Sequence, residues 1–560
     1  MRGGLLAPPY GSSVAPCVET RHLARTSMFI LSPHVKQASR LIGALCVLSV
    51  LAGQAGGADG TSSDPVFPSH ARTAQEQARI NAVTAPAVDF TAPEPFEANQ
   101  GGAGTVADTG DDTVFSLPPT TLPLDDQFDF ELGHALFAKL WVSSPSSTKA
   151  SDGLGPLFNA RSCMRCHVND GRGHPPEHAD DSRVSMFLRL SVPAPQTAAL
   201  TEIEAYLADL DGPNTTPRTR PAPGYGGQLQ DFAITGHVAE GRMEINYTEI
   251  PVTLADGEAD GEGVMLRRPN YAISNPGYGA LPKDLQISPR VATPMIGLGL
   301  LEAIPAQDLL AHADPEDRDG DGISGRPNLV WSKREGAPML GRFGWKAGEP
   351  SVEHQSAAAF HGDIGISTPL FPTAFGDCTA EQVACRTAPD GGGDARGDEI
   401  DQTGLDLVSF YARNLAVPAR RDVADPEVLR GKEMFYTSGC TSCHVPKFVT
   451  HRLEGATAAP QSFQLIWPYS DLLLHDMGPD LADNRPEGRA TGREWRTPPL
   501  WGIGLTAQVS GVTSYLHDGR ARSLLEAVLW HGGEAQAARD AVSLMSKSDR
   551  AALIRFLKSL

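Results

Sequence analysis

Apolar residues recur with two different periods along this chain of 560 residues. Helical spacing, with apolar side chains three and four positions apart, is found in residues 130–142, 428–436, 523–533 and 549–560. Strand spacing, with apolar side chains at alternate positions, is found at Met243, Ile245 and Tyr247. The pattern therefore predicts helices on either side of a β-containing insertion over residues 185–290.

Two sequence echoes indicate a duplicated unit. The first two predicted helices share a Gly-x-x-x-Phe spacing, at Gly133–Phe137 and at Gly431–Phe435. The segment RVATPMIGLGL from Arg290 is also similar to RTPPLWGIGL from Arg496. Since the two echoes occur in the same order, we predict that a domain has been duplicated.

Composition narrows the function classes. The hydrophobic fraction of 41% is typical of globular cores, and the net charge of -20 comes without a basic block. Nucleic-acid binding is therefore not expected, whereas an acidic surface favours a basic partner.

The N-terminus has the layout of a secretory signal peptide. Lys36 and Arg40 precede an apolar run over residues 41–51, and small residues follow it. The run is too short to span a bilayer, which favours a signal peptide. A retained membrane anchor is the alternative. Met28 offers an alternative start of translation. We therefore expect a periplasmic protein with no stable membrane span in its mature chain.

Two Cys-x-x-Cys-His motifs indicate the chemistry of the chain. They consist of Cys163, Cys166 and His167, and of Cys440, Cys443 and His444. Thiols at this spacing add to the two vinyl groups of haem, and the adjacent imidazole becomes the proximal ligand of the iron. With 8 Cys and 16 His in the chain, about 0.003 such motifs are expected by chance. We predict two covalently bound c-type haems.

The motif cysteines have three alternative uses, each of which has a requirement of its own. A thioredoxin-like redox pair requires a βαβ setting, a zinc site requires the two distant motifs to meet, and a disulfide across two residues is strained. The remaining pair, Cys378 and Cys385, is expected to form a local disulfide in an exported protein.

The predicted fold class is mainly α, with two cytochrome c-like haem domains and a β-containing insertion between them. The predicted boundaries are 1–57 for an N-terminal extension and signal peptide, 58–125 for a flexible lead-in, 126–184 for the first haem segment, 185–290 for the insertion, 291–420 for an inter-haem region and 421–560 for the second haem domain.

The segments around and between the motifs resemble the bacterial di-haem cytochrome c peroxidase superfamily. They are NARSCMRCHVNDGRG, FGWKAGEPSVEHQSAAAFHGDIG, LLLHDMG, RTPPLWGIGLT, SYLHDGRARSLLEAV and LWHGGEA. The similarity covers roughly residues 125–560 and is greatest to the subgroup of di-haem oxidoreductases. It implies a peroxidase type of oxidoreductase, in which one haem reacts with peroxide and the other receives electrons.

The resemblance also implies a set of catalytic residues. Trp345 matches a Trp that lies between the haems of the family, and Gln355 and Asp363 match the amide and carboxylate of its peroxide pocket. The sequence departs from the family in that SVEHQ replaces a Glu-Glu-Gln run and Asp363 stands closer to Gln355 than the family Glu does. A carboxylate and an amide suit peroxide cleavage, because one transfers a proton and the other stabilises the leaving hydroxide. A surface polar face for Gln355 and Asp363, and core packing for Trp345, are the alternatives.

His531 is predicted to be a ligand of the second haem. Ser523 and Glu526 form a capping-box pattern that starts a helix, and Leu524, Val528 and His531 share one face of it. The family has Met or Tyr at this position, and a second imidazole in place of Met lowers the reduction potential. A buried core histidine is the alternative. For the first haem, the sequence offers His174, His178, Met186 and Met295 as sixth ligand.

An acidic loop predicts a calcium site. Asp317, Asp319 and Asp321 alternate before Gly322, as in the first half of a calcium-binding loop. Position twelve is Asn328 rather than Glu, so the loop is not a full EF-hand, and a solvated acidic turn is the alternative.

The sequence thus predicts a periplasmic di-haem enzyme that reduces hydrogen peroxide. Its electrons are expected from a donor protein, a small cytochrome or a cupredoxin, and to enter through the C-terminal haem. Two other functions remain open: a di-haem electron carrier without catalytic activity, and peroxide-dependent oxidation of a partner protein. An open iron with polar groups above it distinguishes the enzyme from the carrier.

Overall fold

The computed structural model describes residues 69–176, 185–212, 218–254, 263–392 and 397–560. All of them belong to one compact unit that spans residues 59–560. The expected signal peptide and the alternative start at Met28 lie outside the described residues. None of the helices in the described ranges is long and apolar enough to cross a bilayer.

Helices in the described residues are short and are spread along the whole unit. In chain order they are α1 (Ala74–Thr84), α2 (Gln127–Ala138), α3 (Glu202–Leu210), α4 (Leu298–Glu302), α5 (Ala306–Leu310), α6 (Val352–Ala359), α7 (Val383–Arg386), α8 (Gln402–Arg413), α9 (Pro426–Thr437), α10 (Thr506–Ser510), α11 (Leu524–Leu529), α12 (Gln536–Leu544) and α13 (Lys547–Ser559). A π-helical turn, Phe360–Ile364, directly continues α6.

Strands in the described residues are mostly very short. They are β1 (Ser69–His70), β2 (Val142–Ser143), β3 (Asp152–Leu154), β4 (Leu157–Phe158), β5 (Met186–Pro193), β6 (Thr219–Arg220), β7 (Phe232–Ala233), β8 (Arg242–Thr253), β9 (Gly263–Ser274), β10 (Gln286–Val291), β11 (Leu329–Ser332), β12 (Ala337–Leu340), β13 (Phe448–Val449), β14 (Arg452–Leu453), β15 (Leu465–Ile466), β16 (Leu474–Asp476) and β17 (Glu494–Arg496).

The strands form small separate sheets. One sheet has three strands in the order β10-β5-β6, and the other sheets among the described residues have two strands each. The longest pairing is the antiparallel hairpin of β8 and β9, in which Arg242 faces Ser274 and Thr253 faces Gly263. The alternating residues Met243, Ile245 and Tyr247 lie in β8, with their side chains partly buried between exposed neighbours.

The predicted fold class is wrong. The structure is 31% helical and 18% strand, with many small sheets, and it is not a mainly helical pair of cytochrome c-like domains. Both motifs lie in the same compact unit. The error has a physical reason: a two-residue strand such as β1, which pairs with β14, has no hydrophobic period of its own.

The lead-in before the first motif is tied to the second motif by buried charges. Glu97 accepts hydrogen bonds from Lys432 Nζ at 2.8 Å and from Arg420, and Glu94 accepts from Lys432 Nζ at 2.8 Å and from Lys447. Lys432 lies on α9, which leads into the second motif, and Lys447 follows that motif. We call Glu94, Glu97 and their three cationic partners the N-terminal clamp.

The repeated glycines explain the sequence echoes. A Cβ atom on Gly133 would lie 2.3 Å from the Leu407 carbonyl oxygen of α8, and one on Gly431 would lie 1.9 Å from the Ala552 carbonyl oxygen of α13. Each glycine therefore allows a close helix crossing beside one motif. The two segments of the second echo pack against each other. A Cβ on Gly297 would contact Trp501, and one on Gly502 would contact Ile296.

Candidate di-haem site

One cavity of about 430 Å³ is lined by both Cys-x-x-Cys-His motifs. Its wall is largely apolar, with Phe115, Phe137, Phe343, Phe435 and Leu557 among the lining side chains. The cavity also contains the side chains for which the sequence predicts catalysis, Trp345, Gln355 and Asp363, together with His531. The fold therefore brings together residues from all parts of the unit that the sequence analysis linked to haem chemistry.

The first motif folds as a tight turn that presents His167 to the cavity. Cys163 begins a 3-10 turn, and the backbone N–H of His167 donates to the Cys163 carbonyl oxygen at 3.0 Å. His167 Nδ1 donates to the Thr293 carbonyl oxygen at 2.8 Å, which leaves Nε2 free to bind iron. Burial lowers the pKa of His167 to about 4, so its imidazole is neutral, as a metal ligand must be.

The second motif repeats this geometry. The backbone N–H of His444 donates to the Cys440 carbonyl oxygen at 2.9 Å, and its Nδ1 donates to the Tyr469 carbonyl oxygen at 2.8 Å. Burial also lowers the pKa of His444 to about 4. Phe435 packs 6.2 Å from the His444 ring, as Phe137 packs 6.1 Å from the His167 ring.

His531 reaches the same cavity from the C-terminal side. Ser523 caps α11 by accepting a hydrogen bond from the Glu526 N–H at 3.1 Å, as its sequence pattern predicts. The helix ends at Leu529, and His531 Nδ1 donates to the Ala527 carbonyl oxygen at 2.8 Å. Nε2 is thus available, and the two imidazoles are close enough that His531 lowers the pKa of His444. The pairing of His444 with His531 on one iron stays a prediction.

The motif cysteines are free thiols, not disulfides. Burial raises the pKa of Cys163 and Cys440 to about 12, and it raises that of Cys166 and Cys443 as well. Cys378 and Cys385 do form the predicted local disulfide.

Two buried arginines of the cavity wall fit the carboxylates of haem. Arg172 donates to the Leu516 carbonyl oxygen, while its Nε has no hydrogen-bond partner among the described residues. Among the described residues, the Arg496 side chain donates to carbonyl oxygens, those of Gly344 at 2.8 Å and Thr497 at 3.1 Å. Burial lowers the pKa of Arg172 and Arg496 more than Asp518 and Asp471 raise it, and haem propionates would supply a closer negative charge for both. The donor set of the cavity therefore suits haem.

Asp363 reaches the same helix face as Gln355 because of the π-helical turn. Asp363 follows Gln355 by eight positions, and in a regular α-helix of 3.6 residues per turn the two side chains would point about 80° apart. The π-turn contains one extra residue, so Asp363 takes the direction that a residue seven positions after Gln355 would have in a regular helix. A Cβ on Gly344, next to Trp345, would lie 3.7 Å from Gln355 Oε1.

Asp363 lies beside the first motif and is partly buried. Its carboxylate accepts from Gln228 Nε2 at 2.8 Å, and its carbonyl oxygen accepts from the backbone N–H groups of Asn159 and Ala160. Burial raises the pKa of Asp363 more than the positive charge of Arg189 and the bond from Gln228 lower it. A carboxyl group with a raised pKa takes up a proton more readily than an exposed Asp does, which suits a proton-transfer role.

Trp345 is held rigidly in the cavity wall. Its Nε1 donates to the Val291 carbonyl oxygen at 2.8 Å, and the Arg172 guanidinium lies 5.1 Å from its ring. His517 packs edge-on against Trp345 at 6.5 Å and stacks on Trp495 at 3.7 Å. The aromatic group is therefore larger than the single Trp that the sequence singles out.

Of the sixth-ligand candidates for the first haem, Met295 lines the cavity. Met295 is two residues from Thr293, whose carbonyl oxygen accepts a hydrogen bond from His167, so it belongs to the same side of the cavity as the predicted proximal ligand. His174 is buried outside the cavity lining, as is Met186, and His178 lies outside the described residues.

The acidic loop is exposed and its carboxylates converge. Ligand oxygens of Asp317, Asp319 and Asp321 lie within 4.8 Å of one another. Asn328, at position twelve, is buried and donates to the Lys346 carbonyl oxygen at 2.7 Å, so its side chain is not directed to the loop.

Sequence reasoning missed Arg172, Arg496, Gln228 and Asn159. Each is polar and buried, yet a polar residue in a sequence predicts a surface position unless its partners are known. Asn159, Arg172 and Arg496 do lie in segments that resemble the family, and Arg496 also echoes Arg290, but these signals pointed to kinship and duplication rather than to the cavity wall.

The comparison with protein families agrees with the site in indicating two haems. The sequence matches the family described as "Di-haem oxidoreductase, putative peroxidase" over residues 96–560. No curated protein matches the chain. A solved structure titled "Kuenenia stuttgartiensis Hydrazine Synthase Pressurized with 20 bar Xenon" is 19% identical, with a TM-score of 0.19. That match covers 34% of this chain and 65% of the other, and its TM-score is too low to support an argument.

Proposed function

Because the chain belongs to the di-haem oxidoreductase family, we propose that it reduces hydrogen peroxide beside the first motif, with electrons that enter beside the second. The observation that carries this proposal is the shared cavity. A carboxyl group, Asp363, lies close to the thiols of the first motif, whereas a second imidazole, His531, lies close to His444, and the Gln355 amide lines the same cavity. A di-haem electron carrier does not require this asymmetry, because both of its irons are six-coordinate and do not bind peroxide.

We propose that the thiols of each motif bind haem covalently, with His167 and His444 as proximal ligands. When bound, the haems supply the iron and the electron storage that peroxide reduction requires. Arg172 and Arg496 hold propionates on the cavity wall. The carbonyl oxygens of Thr293 and Tyr469 hold the proximal imidazoles in the tautomer that leaves Nε2 free.

Asp363 transfers protons in the proposed reaction. Reduction of one H₂O₂ takes two electrons from the donor and two protons, breaks the O–O bond and forms two molecules of water. In this reaction the Asp363 carboxylate would take a proton from one peroxide oxygen and give it to the other, which leaves as water. The Gln355 amide stabilises the developing negative charge on that oxygen. Both side chains are presented by one continuous helical segment, α6 and its π-turn, so their separation is fixed before peroxide arrives.

His531 and His444 together define the side at which electrons enter. Two imidazoles on one iron close it to peroxide and lower its potential relative to a His/Met pair. Trp345 and its His517–Trp495 neighbours offer aromatic groups through which an electron crosses the cavity wall. We propose a periplasmic location and a small cytochrome or cupredoxin as the electron donor. The acidic charge of the chain supports a donor with a basic docking face.

We further propose that Asp317, Asp319 and Asp321 bind Ca²⁺, because three hard oxygen ligands converge at the loop. Asp321 also lines the cavity, so the ion would stabilise one edge of it.

The decisive experiment is expression of the exported chain with the haem-attachment machinery, followed by three measurements. The intact mass should exceed that of the apoprotein by two haems. The EPR spectrum should show one high-spin and one low-spin haem, and peroxide should be consumed with an artificial reductant. Two low-spin haems, unchanged by reduction of one of them, together with no peroxide consumption would identify an electron carrier instead.

A further inference from the structure

Two of the segments that resemble the family lie against each other beside the second motif. LLLHDMG contains β16, and LWHGGEA contains His531 and the turn that follows α11. A Cβ on Gly533 would lie 2.1 Å from the Asp476 carbonyl oxygen, and one on Gly478 would lie 2.9 Å from the Gly533 nitrogen. Because glycine permits so close a backbone contact, the turn after His531 is packed directly on the end of β16.

His475 is a buried link between these two segments. Its Nδ1 donates to Glu534 at 2.7 Å, and its Nε2 donates to Asp471 at 2.8 Å. Since both ring nitrogens face carboxylates, both carry a proton and the imidazole is positively charged. Burial lowers the pKa of His475, but the charge of Asp471 is the largest opposing effect, and the pKa lies well above its ordinary value. We call His475, Asp471 and Glu534 the His475 triad; their side chains are 2%, 1% and 12% exposed.

The His475 triad also contacts the second motif. His475 Nδ1 lies 3.4 Å from Cys443 Sγ, and the Asp471 backbone N–H donates to the Cys443 carbonyl oxygen at 3.1 Å. Two residues before Asp471, the Tyr469 carbonyl oxygen accepts the hydrogen bond from His444 Nδ1. The short segment 469–475 therefore holds both the predicted proximal imidazole and one of the thiols of the second motif.

Glu534 fixes the turn that carries His531. Besides the bond from His475, its carboxylate accepts from Ser324 Oγ at 2.7 Å, from the Ser324 N–H at 3.1 Å and from the Asp476 N–H at 3.2 Å. Glu534 stands three residues after His531, and the two residues between them are glycines, which have no side chains to restrain the turn. The bonds to Glu534 therefore restrict how far His531 can move.

We propose that His475 is a positioning residue for the second haem. It holds Cys443 at one end and, through Glu534, the turn that carries His531 at the other, so that two imidazoles meet at one iron. The proposal rests on the proposed function, in which the second haem has two imidazole ligands. Without the imidazolium, the two acids of the triad repel each other in a buried place. Glu534 then moves away, and His531 leaves the iron with it.

The test is His475→Gln in the di-haem protein, with the spin state of the haems read by EPR. Because the two acids lose their cation, we expect the second haem to lose most of its low-spin signal, as it should in His531→Ala, while the signal of the first haem is unchanged. The double variant Asp471→Asn/His475→Gln removes one acid and keeps an amide that can donate to Glu534. The low-spin signal should return in the double variant.

The matched control is His70→Gln. His70 also pairs with a carboxylate, that of Glu454 at 3.5 Å, but the two side chains are 60% and 48% exposed. Removing this exposed pair should leave the EPR spectrum unchanged, since water compensates both groups.

Intact mass and thermal unfolding separate positioning from other roles of His475. An unchanged low-spin signal in His475→Gln would overturn the proposal, and a lower Tm with that signal would show a structural role instead. A mass that exceeds that of the apoprotein by one haem would also overturn it, by showing a role in haem attachment. So would a loss of signal that the double variant does not restore. If the wild type consumes no peroxide, the proposed function fails, and the EPR comparison still decides the role of His475. A wild type without a low-spin haem would refute both the ligation by His531 and this proposal.

Discussion

Replacement of Glu97 by Gln tests how much the N-terminal clamp contributes to the stability of the unit. Glu97 is 1% exposed, and its partners Lys432 and Arg420 are 0% and 4% exposed. The substitution preserves the volume of the side chain but removes its charge. Lys432 then keeps Glu94 as its anion, whereas Arg420 loses its carboxylate partner.

The expected loss follows from the burial. Breaking a buried ion pair by removing one partner lowers the free energy of unfolding by about 3–5 kcal/mol. At about 2.1 cal/mol/K of unfolding entropy per residue and roughly 500 residues in the unit, each kcal/mol changes Tm by about 1 °C. Glu97→Gln should therefore lower Tm by about 3–5 °C, and it should lower the urea midpoint without a change in m-value.

The matched control is Glu433→Gln. Glu433 pairs with Arg430 at 2.7 Å, but the two side chains are 38% and 45% exposed. An exposed pair contributes about 0–1 kcal/mol, so the control should shift Tm by no more than about 1 °C. Equal Tm values for the two variants in thermal unfolding would refute the assignment of a stabilising role to the clamp.

The remaining predictions concern the cavity, the acidic loop and the buried acids. His531→Ala should convert the second haem from low-spin to high-spin in the EPR spectrum and raise its potential, and an intact mass that still exceeds that of the variant apoprotein by two haems would verify that both remain attached. Chelation of divalent cations should lower Tm and added Ca²⁺ should restore it, whereas Asp319→Asn should abolish both responses. Because burial raises the pKa of Glu240 to about 8, the folded state holds its proton longer than the unfolded state does. Stability should then fall as pH rises from about 4 to about 8, and Glu240→Gln should reduce this slope in pH-dependent urea unfolding.

Local features of the site could be predicted from the sequence. The Cys-x-x-Cys-His turns and the Ser523 cap depend on contacts within four residues, so their geometry follows from the residues themselves. The sequence predicts His531 on the same helix face as Leu524 and Val528, and the structure ends α11 two residues before His531, at Leu529. Its bond to Ala527 preserves the direction that the helical pattern indicated.

The long-range features could not be predicted. The position of Asp363 depends on a π-turn, which leaves no hydrophobic period in a sequence. Its partner Gln228 is 135 residues away, and β1 pairs with β14 from the opposite end of the unit. The fold class depends on such long-range strand pairings. Helical periodicity alone does not reveal them, and for this reason it predicted a mainly α fold, which is wrong.

The N-terminal clamp also sets an order for assembly. In a chain synthesised from its N-terminus, Glu94 and Glu97 emerge early, whereas their cationic partners follow 323 to 353 residues later. Cys440 and Cys443 lie between Lys432 and Lys447 in the sequence, so the second motif has already emerged when the clamp can close completely. Glu94 bonds Lys432, before the motif, and Lys447, after it, and so joins the two segments that flank the motif. The clamp therefore fixes the position of the second motif at a late stage of folding.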